Sequence, residues 1–269
     1  MKIGMGLRNM GEVADRDTLT RCAQAADAAD VDSLWVFDHI AIPPEESEGS
    51  GGLYLDPLAT LAYVAGCTQR IGLGTGVLVI PYRPALATAK WLATIQLLSA
   101  GRLLLGAAPG WMKAEFKAAG VDRTRRGQIT DETLAFIRAC FDHDLVSANG
   151  QDFLFKPRPA RPRIYVGGDG EHAIKRALEF SDGWIPIGKK PDELAPLISD
   201  YRARAAAADR PEPEIVTFSQ LNSDDLPEAE ATVNAFAEAG VNRLVWVCRY
   251  RDANHCQAEL EKLQPLLTG

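Results

Sequence analysis

Hydrophobic residues along this chain gather into eight short runs, most of them followed by a polar or glycine-rich break and then by apolar residues spaced three and four apart. The runs cover 3–7, 33–37, 71–79, 103–107, 163–166, 183–187, 215–221 and 243–247. Two contain unbroken stretches, Leu34-Trp35-Val36-Phe37 and Leu244-Val245-Trp246-Val247. Strands covered on both faces read this way, whereas a strand with one wet face alternates. Between the runs, 17–29 places Leu19, Cys22, Ala23 and Ala26 on one helical face, and 85–98, 128–141 and 172–180 also read as helices. Pro227 suits a first helical turn and Gly240 the residue just past a helix end. Ala195-Pro196 predicts a kink or a late start in the helix after Pro191. Strand then helix, repeated eight times over about 250 residues, predicts an α/β fold: a single (β/α)8 TIM barrel spanning 1–269. Chemistry in such barrels sits at the C-terminal ends of the strands, where Asp38-His39 falls. Two segments, 43–55 and 142–162, match neither pattern and read as long loops of functional type, able to cover the mouth if they follow a strand.

Composition narrows the partners. With 46% hydrophobic residues in 269, a sizeable core is available, and a net charge of −7 argues against nucleic acid or an anionic membrane. The cysteines at 22, 67, 140, 248 and 256 form no CxxC pair and read as free thiols of a reducing, cytoplasmic setting. The first residues run straight into a strand without the apolar region of a signal peptide, and no apolar stretch approaches the roughly 18 residues of a membrane span. A small organic substrate is the expected partner. No strand end offers a His/Asp/Glu ligand set or a lone buried lysine, which disfavours a metal-dependent or Schiff-base barrel.

Several patterns carry candidate chemistry, each with a plainer alternative. His39 at a strand end suits proton transfer near neutral pH, or is a loop histidine beside a turn-capping Asp38. Gly72, Gly74 and Gly76 strip one face of the third strand, for a flat ligand or for barrel curvature alone. Val166-Gly167-Gly168-Asp169-Gly170 runs from a strand into a helix, where free N–H groups and the helix dipole favour an anion, though Asp169 brings an opposing charge. Gly74, Thr75, Ala107 and Ala108 are small enough to line a planar ring. Pro109-Gly110-Trp111 follows the fourth strand, and its indole either walls a pocket or packs beneath a loop. Arg83 and the cluster Arg123, Arg125 and Arg126 reach an acidic ligand or sit solvated. Glu115 reads as a structural or exposed carboxylate more readily than as a pocket acceptor. His143, His172 and His255 carry no supporting pattern.

Taken in order, the blocks Ser33-Leu34-Trp35-Val36-Phe37-Asp38-His39, Asp56-Pro57-Leu58, Arg70 through Val77, Leu98 through Leu103, Gly110-Trp111 with Glu115-Phe116, Ile164 through Gly168 and Asp182-Gly183-Trp184 resemble the bacterial-luciferase-like flavin and deazaflavin oxidoreductases. The resemblance covers roughly residues 1–190 and is strongest to the short branch that uses coenzyme F-420; other branches use FMN with a separate flavin reductase. It implies redox chemistry on an organic substrate, with hydride transfer for the deazaflavin or oxygen activation by reduced FMN. It also implies a cis peptide at Gly76–Val77 under the ring and His39 as the catalytic residue at the ring's reactive edge. The cofactor-binding positions it implies are Asp38, Gly74, Thr75, Gly76, Val77, Pro109, Gly110, Trp111, Gly167, Gly168, Asp169 and Gly170. Relatives of this kind are usually homodimers, and the apolar helices after strands two and three suit a two-fold interface.

Overall fold

Nearly continuous apolar runs become strands with almost no exposed residue, and they close on one another. The structure, a computed structural model, describes residues 1–267. In chain order the strands are β1 (Lys2–Gly6), β2 (Ser33–Val36), β3 (Gly72–Thr75), β4 (Leu78–Val79), β5 (Leu103–Ala108), β6 (Leu145–Ala148), β7 (Gln151–Leu154), β8 (Arg163–Gly167), β9 (Gly183–Ile185), β10 (Glu214–Ser219) and β11 (Arg243–Trp246). The order β3-β2-β1-β11-β10-β9-β8-β5-β4 is parallel throughout, and Leu73 and Gly74 pair with Leu103 and Leu104 to close the ring. Because β4 continues β3 after a two-residue break, the barrel has the expected eight staves.

Nine helices surround it among the described residues: α1 (Arg16–Ala28), α2 (Pro57–Cys67), α3 (Ala85–Leu98), α4 (Lys113–Ala118), α5 (Arg126–Asp142), α6 (Gly170–Phe180), α7 (Pro191–Ala207), α8 (Leu226–Glu238) and α9 (Ala253–Leu267). Aspartates 15, 56 and 225 cap α1, α2 and α8 by accepting first-turn N–H groups, each cap being worth about 1 kcal/mol. Gly240 has φ +95 just past the end of α8, as its position predicts. The helix α7 runs on through Pro196 without the late start the sequence suggested; a proline near the first turn removes few helical bonds. No helix among the described residues is long and apolar enough to cross a membrane.

The lumen is packed. Trp35, Tyr165, Ile185, Val216 and Val245 fill it, with Val77, Leu104 and Phe218 at their edges. The N-terminal end carries a buried charge network: Arg243 meets Asp32 at 2.7 Å and Glu214 at 3.2 Å, and Tyr165 donates to Glu214.

The connection 142–162 differs from expectation. It contains the antiparallel hairpin β6–β7, and Phe155 is buried against the Phe141 ring. Joining α5 to β8, it lies at the N-terminal end of the barrel and cannot cover the mouth. The 43–55 loop, which follows β2, does lie at the mouth and returns along β1 through a bridge between Met10 and Tyr54.

Candidate active site

Where β2 ends, buried Asn9 fixes the chain: its amide donates to the carbonyls of Phe37 and Leu55 at 2.8 Å each and accepts the Phe37 N–H at 2.9 Å. The next two residues then go to different partners, as alternation along a strand requires. Asp38 turns inward. Its carboxylate accepts two bonds from Arg83, at 2.7 and 2.8 Å, and the Val79 N–H at 2.8 Å. Arg83 also donates to Asp56, the cap of α2, at 2.7 Å. This corrects the reading of Arg83 as a contact for an acidic ligand: its side chain is 10% exposed and fully engaged. Asp38 borders the cavity, but its charge is spent within the protein.

His39 turns the other way and meets Glu115. Its Nδ1 lies 3.1 Å from one Glu115 oxygen, which also accepts the Tyr82 hydroxyl at 2.9 Å. The other oxygen accepts the N–H groups of Ile40 at 2.6 Å and Ala41 at 3.0 Å. Burial works against the Glu115 charge, yet the bonds from His39, Ala41, Tyr82 and Ile40 outweigh it and hold the carboxyl down at about 2. Burial and donation to Glu115 push the Tyr82 phenol up, so it remains a donor. An ionised carboxylate only accepts, so Nδ1 carries a proton, and in the neutral form of the ring Nε2 is then the acceptor. Tyr54 and Trp111 stand edge-on to the imidazole, with centroids at 4.9 and 6.3 Å. Thus 43–55, through Tyr54, and α4, through Glu115, fix the ring.

A depressed carboxyl pKa stabilises the fold above its unfolded value near 4.5 and is lost as pH falls toward 2. We expect the stability gap between the wild type and Glu115→Gln to narrow by about 2 kcal/mol between pH 7 and pH 3 in urea unfolding. A constant gap would show that the Glu115 charge does not support the fold.

His39 opens onto a cavity of about 470 Å³ at the C-terminal mouth. Asp38, Gly76 and Val77 border it, as do Pro109, Gly110 and Trp111 from the loop after β5, and Gly167, Gly168 and Asp169 from the exit of β8. The peptide between Gly76 and Val77 is cis, as the family resemblance implied. Three expected residues stand elsewhere. A Cβ on Gly74 would fall 2.4 Å from the Trp35 indole, so this glycine makes room for the barrel's own tryptophan rather than for a ligand. Thr75 is buried and donates to the Gly106 carbonyl. Gly170 is exposed, with φ +76, at the start of α6.

At the end of the cavity away from His39, α6 begins without a side-chain cap, since Asp169 makes no such bond and faces Lys189 at 3.8 Å. Arg126, His172 and Arg176 also border the cavity. Arg176 is paired with Asp131, whereas the bond described for Arg126 goes to the Arg123 carbonyl at 3.1 Å. Uncapped N–H groups and a cation without a carboxylate partner among the described residues fit an anion, and Val77, Val79, Ala108 and Trp111 fit an apolar ring. Glu115, Tyr82, Arg176 and Ile187 were missed as site residues by sequence reasoning. The available signal was Glu115 itself, an acid beside Phe116, the two residues of the short helix that are buried.

Residues 3–266 match the Luciferase-like monooxygenase family. The FMNH(2)-dependent dimethylsulfone monooxygenase of Pseudomonas fluorescens (strain Pf0-1) is 30% identical over 196 residues, covering 64% of this chain and 53% of that protein. The F420-dependent hydroxymycolic acid dehydrogenase of Mycobacterium tuberculosis (strain ATCC 25618 / H37Rv) is 31% identical over 217 residues, covering 77% of this chain and 59% of that one. The matched region therefore spans little more than half the length of either relative. An F420-dependent secondary alcohol dehydrogenase, solved in complex with an F420-acetone adduct, shares the fold at a TM-score of 0.82 and 16% identity, covering 99% of this chain and 98% of that one. Signature residues at the strand ends, a closed parallel barrel and a match along almost the whole chain agree: the protein belongs to the luciferase-like monooxygenase family.

Proposed function

We propose that this chain is a cytoplasmic oxidoreductase, one domain over 1–269, that uses coenzyme F-420 to move a hydride to or from a small organic substrate. The observation that carries this reading is the polarity of one cavity: His39 backed by ionised Glu115 at one end, Arg126 and the uncapped start of α6 at the other. A phosphate fits beside Gly168, Arg126 and His172, and a planar ring fits between Val77 and Trp111. Arg123 and Arg125 continue the cationic edge toward solvent, which suits the acidic tail of F-420. When bound, F-420 supplies hydride transfer, and reduced FMN supplies oxygen activation. The protein's part is to exclude water from the apolar wall and to hold or move a proton at His39 Nε2. An FMN-dependent monooxygenase is the second reading, favoured by the FMNH(2)-dependent relative.

Titration by absorbance separates them. F-420 is expected to bind about tenfold tighter than FMN at low salt, with the advantage shrinking as salt screens the tail. Arg126→Ala is expected to weaken both by about tenfold, the loss of one charge-assisted contact. Tighter FMN binding, with its reduced form consuming oxygen in the presence of substrate, selects the monooxygenase.

The same reading includes a homodimer and no nucleic-acid or membrane partner. Exposed apolar side chains on α2 and α3 support the dimer, Trp91 being 48% and Leu98 67% exposed. All five cysteines are free, in keeping with a reducing compartment. Sedimentation is expected to give a dimer that Trp91→Asp with Leu98→Asp converts to monomer; a wild-type monomer at all concentrations refutes it.

A further inference from the structure

The rim around His39 is apolar on the sides formed by the loops after β2, β5 and β9. Ile40, Trp111 and Ile187, from the loops after β2, β5 and β9, are each more than two-fifths exposed at the mouth. Leu53 is similarly exposed on the 43–55 loop, next to the Tyr54 that packs on His39. Exposed apolar side chains gathered at one opening mark a ligand surface more than scattered ones do. Arg126 belongs to the anion end of the cavity, and the charged groups nearest His39 are engaged within the protein. Glu115 is held by four donors, Asp38 and Arg83 hold each other, and Arg8 lies over the Tyr250 ring and donates to its carbonyl. Arg123 donates to the Trp111 carbonyl but is exposed to water, where screening leaves a single charge worth little. The 43–55 loop instead adds Glu45, Glu46 and Glu48, all exposed and without an ion pair among the described residues.

From this arrangement, and resting on the redox reading above, we propose that the substrate taken at His39 is uncharged with an apolar body. It is a neutral alcohol or ketone whose oxygen meets His39 Nε2 while its hydrocarbon lies against Ile40, Trp111 and Ile187. Carboxylate-bearing substrates are rejected on two grounds. Their charge would leave water for an apolar rim where the cofactor's phosphate takes Arg126 and Arg123 lies exposed on the Trp111 carbonyl, and the three glutamates of 43–55 oppose it at the approach.

The test is calorimetric titration with octanol and with octanoate, which share a chain length and differ in charge. It is run on protein loaded with whichever of F-420 and FMN binds tighter, and on cofactor-free protein in phosphate buffer, where phosphate competes for the anion end. Octanol is expected to bind at least tenfold tighter than octanoate in both. Ile40→Ser is expected to weaken octanol by about threefold to tenfold. The triple variant Glu45→Lys, Glu46→Lys and Glu48→Lys is expected to strengthen octanoate about tenfold and leave octanol unchanged. Octanoate binding as tightly as octanol, or a triple variant that leaves their ratio unmoved, overturns the proposal. Failure of both cofactors to bind sinks the redox reading instead, while the ratio on cofactor-free protein still reports on the rim.

Discussion

Replacing Glu115 by glutamine is expected to lower turnover by about 10²-fold or more while cofactor affinity changes by no more than a few-fold. The reason is the tautomer of His39. The carboxylate oxygen facing Nδ1 accepts from both His39 and Tyr82, and the other accepts from two backbone N–H groups. An amide placed there keeps its oxygen on Ile40 and Ala41, which still need an acceptor, and so turns its NH2 toward Nδ1. Nδ1 must then accept, the proton moves to Nε2, and the nitrogen facing the cavity loses its basicity. Nitrogen-15 spectra of His39 would show the exchange of tautomers directly, a change that loss of packing alone does not produce. Glu115→Asp keeps the charge, and is expected to retain the Nδ1–H tautomer and recover part of the rate. Turnover within threefold of wild type in Glu115→Gln, or an unchanged tautomer, refutes the positioning role.

The distribution of legible and illegible features follows from range. The staves could be read because burial on both faces writes itself into consecutive residues, as in Leu34-Trp35-Val36-Phe37, and helix ends could be read because caps act within one turn. The cavity's position followed, since barrel topology carries His39, Gly76, Trp111 and Gly168 to the same end. What local pattern could not show was who partners whom. Glu115 lies 76 residues from His39 and Arg83 lies 45 from Asp38, so nothing near either residue distinguishes a buried partner from a solvated charge. Gly74 misled for the same reason: its bare face was legible, but its filling by Trp35 is set by a side chain from another strand. The hairpin at 145–154 went unread because its short strands leave Leu145 and Leu154 exposed, which blurs the two-residue alternation.

Arg83→Met is expected to destabilise the fold by about 3–5 kcal/mol, the usual cost of leaving one member of a buried ion pair alone, and to lower the melting temperature by about 10 °C for a chain of this size. Arg83 joins Asp38 at the end of β2 to Asp56 at the start of α2, and Asp38 in turn holds the Val79 N–H of β4, just past the Gly76–Val77 bond. Removing the guanidinium therefore loosens the cavity wall that Val77 and Val79 form. Burial pushes the Asp38 carboxyl up, and the bonds from Arg83 oppose it. Burial already prevails with Arg83 in place, and without its bonds the carboxyl rises further above its unfolded value. An acid whose folded pKa is raised loses stability as pH rises, so the variant is expected to be more stable at pH 5 than at pH 8. Adding Asp38→Asn separates charge from contact: the amide oxygen still accepts the Val79 N–H, and no buried charge remains. The double variant should regain most of the lost stability in urea unfolding at pH 8. If it is no more stable than Arg83→Met alone, the cost lies in lost packing, and the ion pair is not what holds this wall.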